Sequence, residues 1–468
     1  MTQSLEAILS GTGSIVDFLR NQQVGPNVYP GVPAEYSNWR DEQRAWAETC
    51  VLFNQSYHMA ELMVEGPGAF DFLNGLGINS FKGFTVNKAK QFVPVTHYGH
   101  VIGDVILFYL AENTFNLVGR APTLNWLMFH GEGRKDVTLT YDERTAARPD
   151  PENRRHYRYQ VQGPNSNKVI EAATGQPAPD LKFFNMCWME IGGRKVHALR
   201  HGMAGQPGYE LMGPWEDRDA VHAALVEAGK PHGMKLVGGR TYSSNTIESG
   251  WIPSPLPGIY TGELLKPYRD WLSANHYESR CSVGGSYVPD SVEGYYLTPW
   301  DLGYGPFVKF DHDFIGREAL EKIAAGPHRR KVTIALDDEA VSEAIYGQFG
   351  HHEGKGGQLR PKYMEFPSAV YSMHPFDRVE VNGKLVGLST WIAYTANEGK
   401  MLTLAMVDEE YATQGTEVDF IWGEPDGGTS KPTVERHRQI TIKGVVAAVP
   451  YSEVARTSYA PSWRTQAA

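Results

Sequence analysis

Residues 199–214, LRHGMAGQPGYELMGP, hold side chains whose types and spacing can do chemistry. Arg200 and His201 follow a strand pattern that ends at Leu199, and the chain returns as a second strand, 209–212, carrying Glu210. Gly202, Gly205, Gly208 and Pro207 let the loop between them turn tightly and approach something flat. A carboxylate at the loop end of a strand can accept a pair of ring N–H donors. Taken alone, these residues also fit an ordinary β-hairpin with a solvated acid. Two other groupings have the composition of a metal site: Asp311-His312-Asp313, and His351-His352 with His328 upstream. Both read better as solvated loops, because ligands of a closed site need a supporting shell that the sequence does not offer. No metal is expected. No phosphate loop, GxSxG, HExxH or GxGxxG-plus-acid pattern occurs.

The elements that must position such groups follow from hydrophobic periodicity. Residues 5–20 read as an amphipathic helix broken by Gly11 and Gly13. An aromatic, Pro-rich segment follows, with Tyr29, Tyr36 and Trp39; such a loop either packs on the domain or lines a pocket. Residues 59–65 are a strand, and Gly66-Pro67 opens a helix through Leu76. About a hundred residues later the device recurs: strand 157–162, then Gly163-Pro164 opening a helix through Thr174. VEGPGAFDFL and VQGPNSNKVI read as two copies of one unit, so a duplicated half is expected, with two sheets enclosing a central site. Between the copies, 91–98, 101–110 and 115–119 form a β-meander; Arg120 leaves its last strand and Ala121-Pro122 opens a helix. Gly192-Gly193 makes a tight turn within 191–199, and 216–228 and 241–249 are helical. Residues 251–257, WIPSPLP, are a rigid linker. From 331–336 onward the chain is β-rich: 379–388 turns at Asn382-Gly383, and 401–407, 417–422 and 439–446 add strands. A boundary is placed near residue 330, and the tail after Tyr451 is expected to be draped or mobile.

At 468 residues the chain can bury a sizeable core in more than one domain. A formal net charge of -10, with Lys and Arg spread out, argues against nucleic-acid binding. Cys50, Cys187 and Cys281 lie far apart, without the spacing of a thiolate zinc site, an iron–sulfur cluster or a disulfide framework. No signal-peptide pattern opens the chain, and no apolar run reaches the ~18 residues of a membrane span. The expectation is a soluble cytoplasmic protein without a membrane partner.

Several motifs together resemble the glycine cleavage T-protein (aminomethyltransferase) family. The Arg-x(n)-Gly-Tyr-Glu run ending at Glu210 is similar to that family's folate-binding turn, whose glutamate holds the pterin. Phe53-Asn54-Gln55-Ser56-Tyr57-His58-Met59 is similar to its Phe-Asp-x-Ser-His-Met, with one residue more. Gly99-His100-Val101-Ile102-Gly103-Asp104 is similar to its Gly-x-Ile-Asp-Asp turn, and YGPFVK at 304–309 with FIGREAL at 314–320 to its late motif. Asn54 stands where the family has aspartate, and Gly103 replaces one member of an aspartate pair, leaving Asp104. That pair is associated with methylene transfer from an amine. Residues 258–297, about forty of them, have no T-protein counterpart.

The chain resembles more closely the tetrahydrofolate-dependent O-demethylases of lignin-derived aromatic acids, the vanillate and syringate demethylases. The shared runs are the NVYP loop, the Gln-Ser/Thr-x-His-Met loop, VGRAP at Arg120, LRHGMAG, the stretch from Tyr242 through WIPSPLP, and GYGPFVKFDHDFIGR. This resemblance implies an α+β fold: a T-protein-like folate-binding region with duplicated α/β halves around a central site over 1–330, carrying the insertion 258–297. A C-terminal β-rich, barrel-like domain over 331–468 completes it. The implied reaction moves the O-methyl group of syringate to tetrahydrofolate, giving 3-O-methylgallate and 5-methyltetrahydrofolate. Vanillate or 3-O-methylgallate as substrate, or aminomethyltransferase-like action on an amine, are the alternatives. The implied site has Glu210 on the pterin, Trp251 stacking on or walling the ring, and Arg120 on the aromatic carboxylate. Tyr29, Gln55 and His58 would orient the aromatic ring and its 4-hydroxyl. Tyr242, beside the folate, would protonate the departing oxygen, with His58 the next candidate acid. No protein partner is required.

Overall fold

The computed structural model describes residues 3–25, 29, 31–145, 153–253, 255–349 and 359–459. Alternation decides its central layers. In the strand His156–Gln162, Tyr157, Tyr159 and Val161 join the apolar cluster under the helices Ser166–Thr174 and Arg218–Gly229. Arg158, Gln160 and Gln162 therefore take the opposite face, toward the middle of the molecule. This strand sits third in a six-stranded sheet ordered Met234–Val237, Cys50–Asn54, His156–Gln162, Gly208–Pro214, Arg194–Arg200, Met186–Ile191. A five-stranded sheet runs Lys88–Phe92, Val105–Ala111, Thr114–Gly119, Ala60–Glu65, Thr138–Asp142.

The two sheets face each other. Ala89, Phe108 and Val118 of one pack on Met186, Leu199 and Met212 of the other. At one edge the backbones join, Ala89 N–H donating to Phe184 O and Met186 N–H to Asn87 O, both at 2.8 Å. At the centre Arg158 crosses the gap. Its Nε donates to Glu61 Oε1 at 2.9 Å, its Nη1 to Glu210 Oε1 at 3.1 Å and its Nη2 to Asn116 Oδ1 at 3.0 Å. His156 Nδ1 lies 2.8 Å from Glu61 Oε2.

The duplication expected from the two Gly-Pro units is present in the backbone. Gly66 and Gly163 have φ of +121° and +129°, and a Cβ at either would meet a carbonyl oxygen, Asp136 O at 2.4 Å or Thr49 O at 2.7 Å. Only glycine fits both positions. Each then accepts the first bond of its helix, from Ala69 N–H at 3.0 Å and from Ser166 N–H at 2.9 Å.

The barrel-like expectation is also met. Arg329–Leu336, Lys400–Asp408, Lys384–Thr395, Asp377–Val381, Glu417–Trp422 and Ile440–Ala447 close on themselves around a core that includes Val332, Ile334, Phe420 and Trp422. It docks on the first region through Glu248, whose buried carboxylate accepts from Trp46 Nε1 at 2.8 Å, from Asn397 Nδ2 at 3.1 Å and from the Thr395 hydroxyl. Residues 258–297 contribute to the core: Ile259, Tyr260, Leu265, Tyr268 and Tyr295 are buried in one cluster with Leu5, Leu19 and Trp126.

Three local expectations are refined. The broken helix at 5–20 is two helices, Leu5–Ser10 and Ile15–Arg20, capped by Ser4 and Ser14 hydroxyls. The strand expected over 91–98 stops at Phe92, because the Thr96 hydroxyl accepts from Tyr98 and His100 N–H and holds a turn. The helix expected over 241–249 is divided into Gly239–Tyr242 and Asn245–Ser249. Of the tail, Ala455–Tyr459 is helical and Ala455 lies against Gly205; the remainder is outside the described residues.

Burial pushes the Glu61 and Glu210 carboxyls up, but Arg158 with His156 or His201 outweighs it and holds both below the usual range. Their contribution to stability is present above the ordinary carboxylate range and is lost as the pH falls through the lowered values. Arg158→Met leaves both charges buried without their cation. The expected cost is about 3–5 kcal/mol at neutral pH, read as a lower urea midpoint, with the gap to wild type narrowing in acid.

Candidate active site

Three rings form a triangle at the edge of the central gap. Tyr29 and His58 centroids are 4.9 Å apart, Tyr29 and Tyr242 5.1 Å, and His58 and Tyr242 5.0 Å, all edge to face. Phe53, the end of a buried strand run, packs on Tyr242 at 5.1 Å. Gln55 Nε2 donates to Tyr242 Oη at 3.2 Å and to Gln160 Oε1 at 2.8 Å. Burial pushes both phenols up, Tyr29 to about 12, so each keeps its proton. No acceptor among the described residues takes the Tyr242 hydroxyl hydrogen. Burial also drives His58 down to about 3, helped by Arg120, Arg154 and Arg144. His58 is therefore held in its neutral form at physiological pH, with one ring nitrogen a donor and the other an acceptor.

Arg120 stands where the strand Thr114–Gly119 ends and the helix Ala121–Gly131 begins, with Pro122 in the first turn. Its Nη1 donates to Tyr277 Oη at 3.3 Å, and it forms no ion pair with a carboxylate among the described residues. Arg120 and Tyr29 line a cavity of about 210 Å³ whose other lining residues include Arg240, Glu365, Phe366, Met373 and the barrel residue Trp391. A half-buried guanidinium without an anion, at an aromatic cavity, is complementary to a small aromatic carboxylate.

Glu210 lies deeper, with Oε1 on Arg158 and Oε2 3.4 Å from His201 Nδ1. Around it, buried amide atoms lack partners: Gln160 Nε2, Gln162 Nε2, Gln55 Oε1 and Asn245 Oδ1. Trp251 does not turn its indole N–H to Glu210. It donates to Asp104 Oδ2 at 3.1 Å and to Tyr304 Oη at 3.0 Å, and Gln91 donates to the same carboxylate. Asp104 Oδ1 is buried without a partner.

The sequence-derived residues thus gather as one aromatic triangle with Gln55, one free guanidinium, one ionised carboxylate, and a Trp251–Asp104 pair. Reading the sequence missed Arg158, Gln160, Tyr304 and Tyr277. Arg158 and Gln160 had a signal, the strict alternation of polar residues in HYRYQVQ; Tyr277 had none. Asp311 and His312 stay local, His312 bridging Asp311 Oδ1 and Gly77 O at 3.0 Å each, and His328 stacks on Trp300 at 4.6 Å. His351 and His352 lie outside the described residues. No group of three or more His, Cys, Asp or Glu suited to a metal occurs among the described residues, nor any helix long and apolar enough to cross a membrane.

Comparison with known proteins adds to this geometry. The GCVT N-terminal domain family matches residues 18–254. The chain is 66% identical to syringate O-demethylase of Sphingobium sp., over 100% of both chains. It is 28% identical to sesamin methylene transferase of Sinomonas sp., over 84% of this chain and 86% of that one. It is 26% identical to an aminomethyltransferase of Streptomyces avermitilis, over 82% and 85%. Among solved structures, glycine cleavage system aminomethyltransferase T from Bartonella henselae superposes with a TM-score of 0.60 at 19% identity, covering 92% of this chain and 95% of that one. That likeness is one of fold.

Burial pushes the Asp104 carboxyl up to about 6, only partly offset by Trp251, Tyr304, Gln91 and Arg120. Folding favours its protonated form, so its contribution to stability is full below the ordinary aspartate range and is lost as the pH rises through about 6. Trp251 fluorescence should therefore titrate with a midpoint near pH 6. The Asp104→Asn protein should lack that step, and its Tm should not share the decline of the wild type across it.

Proposed function

The chain belongs to the GCVT family, and on that premise we propose that it demethylates syringate, moving an O-methyl group to tetrahydrofolate and releasing 3-O-methylgallate and 5-methyltetrahydrofolate. The relative identical at 66% supports the substrate. The observation that carries the reading is Arg120, a guanidinium at an aromatic cavity with no carboxylate of its own. A benzoate entering that cavity needs a cation, since burying it unpaired is prohibitive. Tyr29, Gln55 and neutral His58 then orient the ring and its 4-hydroxyl from the triangle that surrounds them.

The residues beneath the triangle suit a pterin. Glu210, ionised by Arg158, accepts ring N–H groups. Unpartnered atoms of four amides, the donors Gln160 Nε2 and Gln162 Nε2 and the acceptors Gln55 Oε1 and Asn245 Oδ1, are at hand for the pterin's heteroatoms, and Trp251 walls the gap. Bound tetrahydrofolate supplies a neutral amine nitrogen, N5, as methyl acceptor. An aryl methyl ether is a poor electrophile because it must leave as phenoxide. Holding the reactants in one geometry can supply ~7–11 kcal/mol of the barrier. As the O–CH3 bond breaks and the N5–CH3 bond forms, Tyr242, with its hydroxyl hydrogen uncommitted, gives a proton to the departing oxygen, a contribution of ~10²–10⁴-fold, and the proton then shed by methylated N5 restores the phenol. Gln55, donating to Tyr242 Oη, steadies the phenolate left behind.

Incubation with syringate and tetrahydrofolate under anoxic conditions should yield 3-O-methylgallate and 5-methyltetrahydrofolate in equal amounts; no methylated folate would refute the reaction. Tyr242→Phe should bind both ligands yet turn over about 10²-fold more slowly or worse. That defect should shrink for ethers whose phenols are more acidic. Glu210→Gln should weaken tetrahydrofolate binding by about tenfold, seen by calorimetry.

A further inference from the structure

We propose that Tyr277, from the inserted segment 258–297, is a second anchor for the substrate carboxylate beside Arg120. The inference rests on the reading of Arg120 as the carboxylate's partner and deepens it.

The Tyr277 hydroxyl oxygen already accepts from Arg120 Nη1 at 3.3 Å, so its own hydrogen must point elsewhere. No acceptor among the described residues takes that hydrogen. Burial raises the phenol above its ordinary range, and Arg120 offsets this only in part, so it remains a donor. A carboxylate drawn to the guanidinium thus meets a neutral O–H donor from the same corner. Two oxygens and two kinds of donor match, one charge-assisted N–H set and one phenol.

The pair is also held as a rigid unit. Arg120 caps the helix Ala121–Gly131, and on that helix Asn125 Nδ2 donates to both carboxylate oxygens of Glu278, at 3.1 and 2.9 Å. Glu278, next to Tyr277 in the chain, is fully buried and also accepts from Tyr268 Oη at 3.0 Å, while its backbone carbonyl accepts from Tyr260 Oη at 2.9 Å. Residues 120 and 125 of one element therefore face 277 and 278 of another in a two-point frame. The Tyr277 ring is packed as well, 6.2 Å from His374 and 5.8 Å from the Arg144 guanidinium. Such a frame gives the anchor its geometry before substrate arrives, which lowers the ordering cost of binding.

The test compares syringate with its carboxamide, 4-hydroxy-3,5-dimethoxybenzamide, on wild type and Tyr277→Phe, measuring Kd by calorimetry and kcat/KM with tetrahydrofolate. Phenylalanine keeps the packed ring and removes only the hydroxyl. Tyr277→Phe should weaken syringate binding about tenfold, with kcat/KM for syringate falling in step, and leave carboxamide binding within twofold. Equal weakening of both ligands would make Tyr277 a packing residue and overturn the proposal. So would a variant that kept the whole wild-type preference for the acid. A wild type indifferent to the carboxylate would overturn the Arg120 reading itself and this inference with it. Turnover failing while the acid is still bound through Tyr277 would refute the reaction alone.

Discussion

One guanidinium is shared by two sheets. Arg158 reaches Glu61 on the five-stranded sheet and Glu210 on its own six-stranded sheet, with all three side chains at most 4% exposed. Taking three charges out of water is expensive, and only close geometry with every remaining lone pair engaged offsets the cost. Asn116 and His156 add hydrogen bonds to the cluster, and His201 Nδ1 approaches Glu210 Oε2 to 3.4 Å. The spacing of the sheets is thereby set, and so is the gap between them in which the other functional groups stand. Glu210 is in consequence an ionised acceptor held at a defined point, not a mobile acid.

Carboxyl groups of equal burial behave differently according to what faces them. Glu61 and Glu210 are pulled down by Arg158. Glu248 and Glu278 meet chiefly neutral donors, so burial wins and both rise to about 7, while Asp104 rises to about 6. Near Tyr29 the balance differs: burial and the nearby arginines hold His58 neutral, and Arg120 lacks a carboxylate partner among the described residues. The cavity is lined by Arg120, Arg240 and Glu365, and of these Arg240 pairs with Glu35 while Arg120 has no carboxylate partner among the described residues.

The C-terminal region contributes much of the lining of this cavity. Phe366, Met373 and Trp391 line it together with Tyr29 and Arg120. The inserted segment brings Tyr277 to Arg120. Glu248 ties the barrel to the first region through Thr395, Asn397 and Trp46.

Short-range physics was readable from the chain alone. The repeated strand–Gly-Pro–helix unit, the tight turn at Gly192-Gly193 and the β-rich C-terminal region depend on alternation, turn chemistry and positive φ at glycine, all of which act over a few residues. Motif likeness pointed to Glu210, Arg120, Tyr242 and the Tyr29–His58 neighbourhood. What only the tertiary structure decided are pairings between residues far apart in sequence: Glu61 with Arg158, Asp104 with Trp251, Arg120 with Tyr277, and Glu248 with Asn397. No local pattern encodes them, because each exists only once two independently patterned surfaces pack face to face, and the energy that fixes them is the cost of leaving a buried charge or donor unpaired.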